Sequence, residues 1–201
     1  MGRSHAVTGA ALGAVTSPLA HAAALDPPVW FAAVLAASLA PDVDHPGATL
    51  ARMWGPVSGT LAAVVSPLVG GHRGATHHVF AFAGFALLVV VASLHPVTAA
   101  LVFAYGTGAA VAASEAVTRW DWPWPANLAV SATVGWLVYV NGWPLLPVAL
   151  PVALGVVVHI AGDTIPVQSA RERLVVAGSY VVAAAWVCWP IIFPRLQGVV
   201  A

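Results

Sequence analysis

The sequence predicts an all-α, polytopic membrane bundle, and three observations carry that prediction. Mean hydropathy is +0.90, with 60% of residues hydrophobic and 7% charged, whereas soluble globular domains are roughly one-quarter charged. Apolar segments recur along the 201 residues, separated by short polar or Pro-containing turns. Traced back and forth, those segments leave Arg3, Arg52, Arg73, Arg119, Arg171 and Arg173 on one side and Arg195 alone on the other. By the positive-inside rule the arginine-rich side is cytoplasmic, which also places the N-terminus there. No Gly/Ser linker or low-complexity tract divides the chain, so residues 1–201 read as a single integral membrane domain.

The elements follow in order. Arg3 and the Ala20-His21-Ala22 triplet raise a signal peptide as one reading of residues 1–24. Thr8, Gly9, Gly13, Thr16, Ser17 and Pro18 dilute the stretch, which suits a helix packed closely among others over residues 6–25. Asp26-Pro27-Pro28 turns the chain, and residues 29–39 return as a short helix broken at Pro41. The prolines bounding residues 41–46 predict a rigid extended connector, in which side-chain alternation would aim Asp42 and Asp44 the same way. Residues 56–69, interrupted by Pro67, read as a re-entrant or partial helix. Residues 79–94 lead out to His95-Pro96, and residues 97–117 return to the interfacial aromatic cluster Trp120, Trp122 and Trp124. Residues 126–140 lead out again, residues 145–165 return with Pro147 and Pro151 as kink points, and residues 174–193 cross last. The expectation is about seven spans plus one short re-entrant or partial helix.

Zero net charge gives no basic surface for nucleic acid, so the bilayer is the expected partner. Cys188 is the only cysteine, which excludes an internal disulfide and a cysteine zinc cage. Eight histidines in so apolar a chain need another explanation. The tracing gathers His5, Asp42, Asp44, His45, His72, His77, His78, His159 and Asp163 at the cytoplasmic face, while His21 and His95 fall away from it as turn or interface residues. His159 and Asp163 lie at i, i+4 on one helix face. A hydrogen bond between neighbours explains that pair taken alone, but ionisable groups within membrane helices are costly and mark functional sites. Histidine and aspartate without cysteine suit Zn²⁺, and also Mn²⁺ or Fe²⁺. The inventory suffices for two ions, an arrangement that clamps the attacking and leaving oxygens of a phosphoester. Arg73 supplies a cationic fork for phosphate oxygens. Glu115 pairs with Arg119 at i, i+4 and is a candidate support for the site.

His5, the run Pro41-Asp42-Val43-Asp44-His45, the run Gly71-His72-Arg73-Gly74-Ala75-Thr76-His77-His78, and His159-Ile160-Ala161-Gly162-Asp163-Thr164 occur in an order and spacing that resembles the YdjM-like family. Its members are described as LexA-binding, inner-membrane-associated, predicted metal-dependent hydrolases. The resemblance implies a bacterial inner-membrane, multi-pass protein with its metal site on these residues. Two departures stand out: His78 occupies a position where the family usually has serine, and residues 165–173 lack the family's Leu-Trp-Pro segment.

Together these readings lead to the expectation of a divalent-metal hydrolase acting on a phosphoester, favouring a lipid or lipid-linked phosphate. Its metal ligands are expected among His5, Asp42, Asp44, His45, His77, His159 and Asp163, with His72 and Arg73 as catalytic residues. Two alternatives use the same residues. One is a metal- or proton-coupled transporter, and the other is a non-catalytic partner protein whose metal staples its helices.

Overall fold

A computed structural model of the chain describes residues 2–71, 74–78, 80–118 and 120–164. His72, Arg73, Arg119, the segment 165–173, Cys188, Arg195 and the expected last crossing at 174–193 lie outside the described residues. The described chain is helical, in the order α1 (Gly2–Val15), a 3₁₀ turn (Ser17–Ala23), α2 (Pro27–Ala37), a 3₁₀ turn (Ala40–Asp44), α3 (Thr49–Arg52), α4 (Pro56–Leu68), a 3₁₀ turn (Ala75–His77), α5 (Ala81–Ala92), α6 (Pro96–Thr118), α7 (Trp124–Asn141), a 3₁₀ turn (Leu146–Val148) and α8 (Ala149–Thr164).

The expected count of seven spans is corrected by helix length. A hydrocarbon core about 30 Å thick takes about 20 helical residues at 1.5 Å each. Among the described residues, two helical stretches are long and apolar enough to cross, Pro96–Thr118 and Leu146–Asp163. A third is counted if the pair Ser17–Ala23 and Pro27–Ala37, bent by 109°, forms one broken span. The helix expected over 6–25 instead stops at Val15, where Thr16 returns its hydroxyl to the Leu12 carbonyl and Pro18 enters a 3₁₀ turn. α2, α4 and α5 have 11, 13 and 12 residues, so each reaches only about 16–20 Å. α7 has 18 residues, but Asn127, Ser131, Thr133 and Asn141 lower its hydropathy.

α2 is the axis of the packing. Gly9 of α1 lies against the Ser38 side chain and the Leu35 backbone, and Gly155 of α8 lies against the Val34 carbonyl and Ala37. A Cβ at either glycine would collide with its neighbour, so these glycines set how closely α1 and α8 flank α2. Trp30 of α2 is fully buried and donates its indole N–H to Thr16 Oγ1 at 2.9 Å. α6 and α7 form a hairpin joined by buried Asn127, whose Nδ2 donates to the Gly108 carbonyl at 3.2 Å. The link between α3 and α4 docks on α7, where Trp54 Nε1 donates to Ser131 Oγ at 3.2 Å. One core cluster, with Ala6, Leu39, Leu50, Met53, Ala109 and Ala113, lies at the end of the bundle where α1 begins and α6 ends.

The segment 41–46 departs from its expected extended form. Ala40–Asp44 is a 3₁₀ turn, closed by Asp42 N–H to the Leu39 carbonyl and His45 N–H to the Asp42 carbonyl, each 3.0 Å. Pro41 falls in the first turn of that helix, where its fixed φ fits and its missing N–H costs nothing. Only His45, ahead of Pro46, is extended, with φ −107° and ψ 109°. With three residues per turn, side chains two apart diverge instead of aligning. Asp42 and Asp44 therefore point to different neighbours.

Candidate metal centre

Four short or terminal elements bring the polar residues together: the first turn of α1, the 3₁₀ turn after α2, the 3₁₀ turn before α5 and the last turns of α8. The 3₁₀ turn after α2 also creates the anchor for His159. The Ser38 carbonyl would receive Asp42 N–H in an α-helix, but that N–H goes to Leu39, and Pro41 has none to offer. Thus released, the Ser38 carbonyl accepts the Nδ1–H of fully buried His159 at 2.8 Å. The bond fixes the tautomer, so His159 presents the lone pair of Nε2.

His77 is held in the same manner. The loop before it needs left-handed backbone at Gly70 and Gly71, with φ of +85° and +81°. It closes through Ala75 N–H to the Val69 carbonyl at 2.9 Å. Asp44, fully buried, accepts the Thr76 hydroxyl and lies with Oδ2 3.6 Å from His77 Nδ1. A carboxylate at Nδ1 favours the proton there, leaving the Nε2 lone pair to face inward.

The two inward nitrogens meet. His77 Nε2 is 3.1 Å from His159 Nε2. Asp42 Oδ1 is 3.7 Å and 3.8 Å from those nitrogens, and Asp163 Oδ2 is 3.5 Å and 3.8 Å from them. Asp163 is steered by its other oxygen, which lies 3.2 Å from His5 Nε2. The His5 ring stacks on His159 with centroids 3.9 Å apart. Gly162 makes room for His5, since a Cβ there would lie 3.1 Å from His5 Nδ1.

Two imidazole nitrogens and two carboxylate oxygens at such spacing form a set that a positive charge would hold together. Ligand atoms about 2.0–2.1 Å from a tetrahedral ion stand roughly 3.3 Å apart, close to the 3.1–3.8 Å that separates the two nitrogens from each other and from each oxygen; Asp42, His77 and His159 form one such trio of donors, and His5, His159 and Asp163 another. The donor set therefore fits a divalent ion. Without an ion, a proton must serve. Burial alone would lower the pKa of His77, but the Asp42 carboxylate beside it and the charges of Asp44 and Asp163 raise it above the ordinary histidine value. Burial alone would raise the pKa of Asp42, yet His77, His159 and His5 hold it below the usual carboxylate range.

Of the expected ligands, the structure thus brings His5, Asp42, Asp44, His77, His159 and Asp163 into one cluster. His45 is not among the converging donors. Its Nδ1 accepts the Gly47 N–H at 2.9 Å within its own turn, because the extended backbone before Pro46 turns the ring that way. His78 Nδ1 faces the Phe80 N–H, likewise a local contact. Glu115 accepts the Trp122 N–H at 3.1 Å instead of supporting the cluster. The sequence reading missed Thr76, Gly162 and the Ser38 carbonyl. Thr76 and Gly162 stand inside the motifs themselves, but a backbone carbonyl carries no sequence signal.

The model of the family described as YdjM inner membrane protein matches residues 1–193. This chain belongs to the YdjM inner membrane protein family. The match covers every described element and all the clustered residues. Neither the curated proteins nor the solved structures contain a match.

Proposed function

We propose that this YdjM-family chain is a membrane-embedded, divalent-metal-dependent hydrolase acting on a phosphoester at the cytoplasmic face. The observation that carries the reading is the 3.1 Å approach of the His77 and His159 Nε2 atoms, with Asp42 and Asp163 oxygens beside them. Asp42, His77, His159 and Asp163 would hold the ion, with zinc favoured and manganese or iron also suited to imidazole and carboxylate. When bound, it would supply Lewis acidity toward a phosphoryl oxygen and toward water. His159 has only Nε2 to offer, so the described donors favour one ion over two.

The other residues position the donors: the Ser38 carbonyl fixes His159, Asp44 and Thr76 fix His77, and His5 fixes Asp163. Asp163, with its side chain 20% exposed, is the most open of the four and marks the side from which substrate arrives. An apolar cleft of about 570 Å³ beside the His77 turn, lined by Gly74, Ala75, His78, Phe80, Ala81 and Gly84, supports a substrate with an apolar portion. Arg73, outside the described residues, is the cation in the motif suited to the phosphoryl oxygens. The cytoplasmic assignment rests on the arginine distribution.

One observation favours the metal-stapled partner reading instead. If Asp42, His77, His159 and Asp163 all bound one zinc ion, they would fill its tetrahedral shell, as in structural sites. The test is elemental analysis of purified protein, together with hydrolysis of a phosphodiester and of a lipid phosphate. Stoichiometric metal with turnover abolished by Asp42→Ala supports the hydrolase. Stoichiometric metal without turnover on either substrate class supports the staple, and metal uptake into proteoliposomes would revive transport.

A further inference from the structure

A second polar cleft, of about 460 Å³, lies at the same end of the bundle as the metal centre but on different elements. Its lining includes Arg52 at the end of α3, Glu115 in the last turn of α6, Asp121 and Trp122 in the connection, and Trp124 at the start of α7. Its size is that of a small-ligand site.

Among the described residues, Arg52 and Asp121 make no ion pair, although opposite charges line the same cleft. Glu115, among the described residues, has one hydrogen bond, in which an oxygen accepts the Trp122 N–H at 3.1 Å. Trp122 and Trp124 are 45% and 44% exposed, and Gly55 with φ +55° fits against the Trp124 indole, where a Cβ would lie 2.8 Å from the ring. Among the described residues, the cleft therefore offers one guanidinium, two carboxylates and two aromatic faces. A guanidinium binds phosphate oxygens through a fork of N–H groups. Carboxylates with indole faces bind an ammonium group. Phosphate and ammonium joined by a short linker match this set better than either charge alone, because a bare phosphate would meet two carboxylates and a bare amine would meet Arg52.

We propose that this cleft binds a zwitterionic amino-phosphate, the chemistry of a phosphoethanolamine headgroup, with Arg52 on the phosphate and Glu115, Asp121 and the indoles on the ammonium. Free phosphoethanolamine and an ethanolamine phospholipid share that chemistry. The tryptophan-rich α6–α7 connection, of the kind found at the membrane interface, favours the lipid.

The test titrates detergent-solubilised full-length protein by calorimetry with four probes: dihexanoyl-phosphatidylethanolamine, its phosphatidylglycerol analogue, O-phosphoethanolamine and inorganic phosphate. The ethanolamine lipid is expected to bind about fivefold or more tighter than the glycerol lipid. Asp121→Asn, on an exposed position that leaves folding intact, should shrink that preference, and Glu115→Gln should shrink it further. Arg52→Ala should weaken both lipids alike. Binding of O-phosphoethanolamine as tight as that of the lipid supports the site with a soluble ligand as source, and binding of the lipid alone supports it with a headgroup as source. Equal affinity for the two lipids, or a preference untouched by Asp121→Asn and Glu115→Gln, overturns it. Inorganic phosphate binding as tightly as the amino-phosphates also overturns it.

Discussion

Replacing Asp44 with asparagine separates holding a metal from positioning its ligand. Asp44 is fully buried, and its Oδ2 takes the Thr76 hydroxyl and faces His77 Nδ1 at 3.6 Å. Asparagine keeps the shape and removes the charge. A hydrogen bond to a charged group contributes about 1.5–3 kcal/mol, and losing a partner behind a ligating histidine costs about 10–100-fold in metal affinity. Asp44→Asn should therefore raise the zinc Kd about 10–100-fold while leaving binding saturable at the wild-type stoichiometry. Asp42→Asn, which removes an inward donor, should cost more. The assay is competition with a chelating fluorophore in detergent, with a thermal melt to confirm that each variant folds. An unchanged Kd in Asp44→Asn would refute the positioning role. Loss of all binding in folded Asp44→Asn would make Asp44 a ligand itself.

Further predictions concern pH and packing. His77 is raised above its ordinary value, so in metal-stripped protein it contributes stability that is complete below the unfolded-state pKa of about 6.5 and fades as pH rises through the folded value. Asp42 is lowered, so its contribution is present above the unfolded-state value and is lost as pH falls through the folded one. The melting temperature of stripped protein should thus decline as pH rises past the unfolded-state histidine value, and added zinc, which displaces the His77 proton, should restore it; scanning fluorimetry with and without chelator reads both. Gly162→Ala places a Cβ 3.1 Å from His5 Nδ1, so zinc affinity should fall a few-fold with little change in melting temperature. Gly155→Val drives a branched side chain into the Val34 carbonyl and Ala37, and overpacking at backbone should cost about 1–3 kcal/mol or more, seen as a lower melting temperature. Asn127→Ala strips a buried donor from the Gly108 carbonyl and should cost about 1–3 kcal/mol by the same measurement.

Helical class and the juxtaposition of His5, Asp42, Asp44, His77, His159 and Asp163 were legible in the sequence, because apolar runs and turns alternate strongly enough to place the motifs at one end. The number of spans was not. Thr16 and Pro18 break the first apolar run and Pro41 ends the second, and hydropathy counts apolar residues without counting helical turns. A family match over residues 1–193 agrees with the motifs read from the chain.

By itself, then, the sequence determined which side chains are available and roughly where along the bundle they sit. Only the tertiary structure decided what each one faces. Pro41 turns the 40–44 segment into a 3₁₀ helix, which separates Asp42 from Asp44 and frees the Ser38 carbonyl for His159. That outcome depends on which backbone groups lack a partner after α2 packs between α1 and α8. Such partnering is a property of the assembled helices and is not written in any one residue.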